Sequence, residues 1–132
     1  MFVLSLAAMA QDKPRHATLS QQKMCADQAK KSFEEDNVKP EHALTWQFSS
    51  HYETNTNICY VMTWISTMDN SNKFTLSHYV YDAFEGREYA SFIEIGSDVV
   101  ECSVAPTPEE NIKCKTDDDF LRLVYKQYGV AK

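Results

Sequence analysis

Four cysteines, Cys25, Cys59, Cys102 and Cys114, constrain this chain more than any other feature. Their number is even and none stands in a C-x-x-C pair. The spacing therefore fits neither a zinc site nor a thioredoxin-like redox motif, and points to two structural disulfides. Four cysteines permit three pairings, and the connectivity is not deducible from sequence. Cys25–Cys59 with Cys102–Cys114 is the favoured choice, because the first would clip a helix to a strand and the second would close a proline-containing loop.

Disulfides imply an oxidising compartment, and the N-terminus agrees. Phe2, Val3, Leu4, Leu6, Ala7 and Ala8 form an apolar run ending in Ala8-Met9-Ala10, an A-x-A cleavage pattern before polar Gln11. The basic segment that opens a signal peptide is missing. Residues 1–10 are accordingly read as a signal-peptide remnant, 11–18 as a mobile leader, and 19–132 as one α+β domain, secreted or periplasmic. The run is too short to span a bilayer, which takes about 20 apolar residues, so an integral membrane protein is not expected. A formal charge of −6, with Lys30-Lys31 as the only adjacent basic pair, opposes nucleic-acid binding.

The pattern along the chain predicts a helix, a meander and a second helix. Ser20 is the expected cap of the first helix, with Leu19 and Met24 as a hydrophobic staple. Cys25, Ala29 and Phe33 then recur on one face up to about Asp36, where Asn37 and Pro40 supply the stop. Four strand-like runs follow: Leu44 to Glu53, Ile58 to Met68, Phe74 to Phe84 and Glu88 to Ile95. In the second, Tyr60, Met62 and Trp64 oppose Cys59, Val61 and Ile65, so both sheet faces need covering. Pro106 and Pro108 predict an irregular loop from Gly96 to Lys115, clipped by Cys102 and Cys114. Thr116 opens the last helix, with Asp117, Asp118 and Asp119 at its positive end, an apolar stripe of Phe120, Leu121, Val124, Tyr125 and Tyr128, and Gly129 as its stop. The fold class is α+β: an N-terminal helix on a four-stranded antiparallel meander, a disulfide-clipped loop and a C-terminal helix.

Residues able to carry chemistry are few. His16, His42, His51 and His78 lack metal spacing, and could converge only if His51 and His78 shared a sheet face. The acidic triplet lacks the spaced oxygen ligands of a calcium loop. Three glycines in the whole chain disfavour a phosphate cradle, and no H-E-x-x-H or G-x-S-x-G motif occurs. No metal or cofactor is expected. The densest cluster runs from Asp82 through Glu85, Gly86, Arg87 and Glu88 to Tyr89. It suits a charged turn with Arg87 beside its carboxylates, and Gly86 supplying a positive φ. Tyr52, Tyr60, Trp64, Tyr79, Tyr81 and Tyr89 could line a binding surface, although core packing is the ordinary use of such residues in a sheet.

Two stretches carry a resemblance. Phe48-Ser49-Ser50-His51-Tyr52 with Asn57-Ile58-Cys59-Tyr60-Val61, and Asp82-Ala83-Phe84-Glu85-Gly86-Arg87-Glu88-Tyr89-Ala90, resemble motifs of small secreted bacterial proteins of unknown function. The resemblance spans roughly residues 25 to 92 and implies export without implying an activity. A helix followed by a meander is also similar in architecture to cystatin-like folds, but nothing near Gln47-Phe48-Ser49 matches their inhibitory hairpin. The expected role is a non-catalytic domain that binds an envelope protein or small ligand, with His51, Tyr52, Asp82, Glu85 and Arg87 as candidate contacts. The alternative is a small hydrolase or isomerase using Asp82, Glu85 or His78 as acid or base.

Overall fold

A computed structural model describes residues 16–131 of the chain. The expected signal remnant, and the leader as far as residue 15, lie outside the described residues. The first helix, α1 (Leu19–Asp36), is capped by Thr18 rather than Ser20. Thr18 Oγ1 accepts from the Gln21 amide at 3.1 Å, and Gln21 Oε1 accepts in return from the Thr18 amide at 2.9 Å. This reciprocal box needs a Gln or Glu three residues after the cap, which Thr18 has and Ser20 lacks. The staple goes with the shifted cap: Leu19 and Met24 stand exposed. Asn37 ends the helix as expected, its amide donating to the Phe33 carbonyl at 3.0 Å.

The four-stranded meander is corrected to six antiparallel strands in sequential order: β1 (Ala43–Glu53), β2 (Ile58–Met68), β3 (Phe74–Asp82), β4 (Glu88–Ile95), β5 (Asp98–Thr107) and β6 (Glu110–Lys113). What reads in sequence as an irregular loop is the β5–β6 hairpin. Its alternation is plain once placed, with Cys102 and Val104 buried between the more accessible Glu101 and Ser103. The prolines do not break it. The β4 ladder ends at the Ala90–Val104 pair, and β6 shifts register between Val104 and Thr107, so Pro106 falls where no ladder hydrogen bond is required. Pro108 lies in the turn.

The sheet carries a helix on each face. Cys25, Ala29 and Phe33 of α1 pack towards Phe48 of β1, Cys59 and Val61 of β2 and Tyr81 of β3. On the other side, α2 (Asp117–Tyr128) buries Phe120, Val124 and Tyr128 against Tyr60, Met62, Val80, Phe92 and Val104. Tyr125, expected in that stripe, is instead 45% exposed, one position round the helix from Val124. The disulfides are Cys25–Cys59, joining α1 to β2, and Cys102–Cys114, joining the middle of β5 to the residue that follows β6, as favoured from sequence. Because α1 lies over β1 and β2, no helix among the described residues lies above the α1 side of β4 and β5.

Candidate functional site

The hairpin between β3 and β4 organises the sequence cluster. Asp82 is buried, and its Oδ1 accepts from the amides of Phe84 and Glu85 at 2.9 and 3.3 Å, while Gly86 turns the chain at φ 74°. Arg87 does not pair with the adjacent carboxylates; its guanidinium lies 4.9 Å from the Tyr89 ring centre. Glu85 is exposed at the tip.

His51 and Tyr52 are neighbours on β1 and therefore point to opposite faces. His51 Nε2 lies 3.7 Å from Glu53 Oε2, and its ring abuts Gly129. The Tyr52 hydroxyl donates to Asn57 Oδ1 at 3.1 Å on the other side. Both line a hollow of about 480 Å³ between the start of α1 and the end of β1, together with His16, Gln22 and Glu53.

His78 shares the α2 face with His51 but not its position along the sheet. His51 pairs with Tyr60, whereas His78 sits beside Trp64, towards the opposite end of β2. It is 1% exposed and enclosed by Trp64, Phe92 and Phe120. Nδ1 donates to the Thr63 carbonyl at 3.1 Å, and Nε2 lies 2.9 Å from Asp117 Oδ1. Both ring nitrogens are therefore engaged, one by a backbone carbonyl and the other by a carboxylate oxygen. Asp117 thus serves as an anchor to β3 as well as a dipole-compensating residue of α2. Asp82, Glu85 and His78 are not brought together.

The arrangement that sequence reasoning missed lies on the α1 side of the sheet, where β3 emerges from under α1 and β4 and β5 continue beyond it. A bulge in β4 sets it up: Val80 pairs with Ala90, but Tyr81 pairs with Glu88, leaving Tyr89 as the extra residue. Tyr89 turns into the α2 core beside Tyr60 and Tyr128, and Glu88 stands opposite Tyr81 on the open face. Next along the sheet come Tyr79 opposite Ser91 and, on β5, Glu101. The Ser91 hydroxyl donates to Glu101 Oε1 at 2.7 Å. Tyr79, Tyr81 and Glu88, with Asp36 and Asn37 at the end of α1, line a hollow of about 190 Å³.

Two carboxylates mark this surface, Glu88 and Glu101. Among the described residues neither Glu88 nor Glu101 has a salt-bridge partner. Partial burial, and then the neighbouring Glu101 carboxylate, push the Glu88 carboxyl above its usual range. Burial also raises the Tyr79 phenol, with Glu88 and Glu101 adding to the effect. Tyr81 is buried with its hydroxyl among Ser32, Asp36 and Asn37, and burial raises its phenol above the usual range.

In comparisons with protein families, curated proteins and solved structures, nothing matches this chain. Among the described residues no cluster of His, Cys, Asp and Glu could hold a metal, and no helix is long and apolar enough to cross a membrane.

Proposed function

We propose that this chain is an exported, non-catalytic binding domain whose open sheet face takes a lysine- or arginine-bearing segment of a protein partner. The observation that carries the reading is the pair of unpaired carboxylates, Glu88 and Glu101, beside the tyrosines Tyr79 and Tyr81. An ammonium or guanidinium group gains both from carboxylates and from the faces of aromatic rings. The hollow that Tyr79, Tyr81 and Glu88 line is sized for one side-chain head group. The hollow opens onto a flat surface rather than a closed cavity, which favours a peptide segment over a free amine. The engagement of Asp82 with its own turn, and of both His78 nitrogens, supports binding over acid–base catalysis. Export is supported by the two disulfides, which persist in oxidising compartments.

The test is calorimetry with a tetralysine peptide at low salt. Glu88→Gln/Glu101→Gln should weaken binding at least about tenfold, the loss of about 1.4 kcal/mol. The control variant, Glu34→Gln/Glu35→Gln on the exposed surface of α1, removes equal charge and should bind like the parent. Equal weakening in both variants would mean diffuse attraction to an acidic protein and would overturn the assignment.

A further inference from the structure

The two edges of the sheet are built differently. At one end β6 is only four residues long, carries Glu110 and Lys113, follows Pro108 and abuts the Cys102–Cys114 bridge. Short length, charge and proline are the devices by which edge strands avoid pairing with other chains. At the other end β1 is eleven residues long, contains no Pro, Gly, Lys or Arg, and is uncharged from Ala43 to Ser50. Its inward groups pair with β2 from Ala43 to Glu53. Among the described residues no hydrogen bond reaches the outward backbone groups from Thr45 to Glu53.

We infer that β1 is a self-association edge, on which a second copy of this chain pairs antiparallel to form one continuous twelve-stranded sheet. The residues of β1 are complementary to themselves in the register of full overlap. A twofold axis at Phe48 sets each Phe48 opposite the other, Leu44 opposite Tyr52 and Trp46 opposite Ser50, all on the α1 side. On the other side it sets Thr45 opposite His51 and Gln47 opposite Ser49. The only acid, Glu53, meets Ala43, so no like charges oppose. The axis runs perpendicular to the sheet, so both open faces point to the same side.

Sedimentation equilibrium, with hydrogen exchange at two protein concentrations, tests the pairing. A strand pair is a small interface, so the dimer fraction should rise between about 1 µM and about 1 mM, and the outward amides of residues 44–53 should slow in parallel. Gln47→Lys brings two lysines close across the axis and should shift the midpoint at least about tenfold towards monomer. Exchange in the unmodified chain gives the same answer if that variant folds poorly. A monomer throughout, β1 protection independent of concentration, or a dimer indifferent to Gln47→Lys and without β1 protection would each overturn the inference.

Discussion

The two disulfides close loops of different size and tie different parts of the fold, so their removal should be unequal. Cys102 and Cys114 are 12 residues apart, and their strands are joined there by the bond from the Cys114 amide to the Cys102 carbonyl at 3.1 Å. Cys25 and Cys59 are 34 apart, and their bridge is the covalent tie between α1 and the sheet. Loop-closure entropy alone gives about 3 kcal/mol for the shorter loop and about 4 kcal/mol for the longer. Cys25 and Cys59 are 2% and 1% exposed, so replacing them with alanine also opens space in a packed interface, adding about 1 kcal/mol. Against a typical stability of about 5–15 kcal/mol, Cys25→Ala/Cys59→Ala should leave α1 detached in a measurable fraction of molecules. Cys102→Ala/Cys114→Ala should keep the whole fold at reduced stability. Urea unfolding gives the two free energies, and hydrogen exchange reads protection along α1. If the Cys102–Cys114 variant loses as much as the other, or if α1 protection survives loss of Cys25–Cys59, the reasoning fails.

Glu88 carries a pH-dependent prediction. Its folded carboxyl sits above the ordinary range, so its charge opposes folding once the pH rises through that raised value and is neutral below the ordinary one. Glu88→Gln should therefore stabilise by a few tenths of a kcal/mol at pH 7, the screened worth of a largely exposed group. The gain should vanish below about pH 4 in thermal melts; a gain that persists there contradicts the assignment. Gly129 ends α2 at φ 71°, and a methyl group there would lie 2.7 Å from His51 Cδ2. Gly129→Ala should cost about 1–3 kcal/mol in urea unfolding, and His51→Ala in the same chain should recover the steric part while the backbone part remains. Asp117→Ala leaves His78 Nε2 without its partner inside the core and should cost about 1–3 kcal/mol, whereas Asp118→Ala, on the exposed side of the same turn, should cost less in the same unfolding assay.

Local signals with one physical meaning were readable in the sequence. Asn37 and Gly129 stop their helices where expected, the turns after Glu53 and Met68 fall as read, and the apolar groups on both faces of β2 do meet a helix on each side. Thr18 and Ser20 are both competent caps, and Gln21, three residues after Thr18, decides between them. The β5–β6 hairpin was hidden because a proline removes a donor only where a donor is needed, and that depends on the register of the neighbouring strand. With β5 unseen, Glu101 had no place beside Ser91. Tyr79 and Tyr81 showed a two-residue spacing, but which half of the sheet α1 leaves open is a property of helix placement that no local pattern encodes. The bulge that sends Tyr89 inward and Glu88 outward has no sequence mark beyond its closeness to Gly86.

The most direct test of the open-face account is a two-dimensional amide NMR titration of the intact domain with tetralysine peptide at low salt. The account predicts saturable shifts confined to Asp36, Asn37, Tyr79, Tyr81, Glu88, Ser91 and Glu101 and their neighbours, with the hollow around His51 and Tyr52 unmoved. Shifts centred on that second hollow, or small changes spread over all acidic residues without saturation, would contradict it.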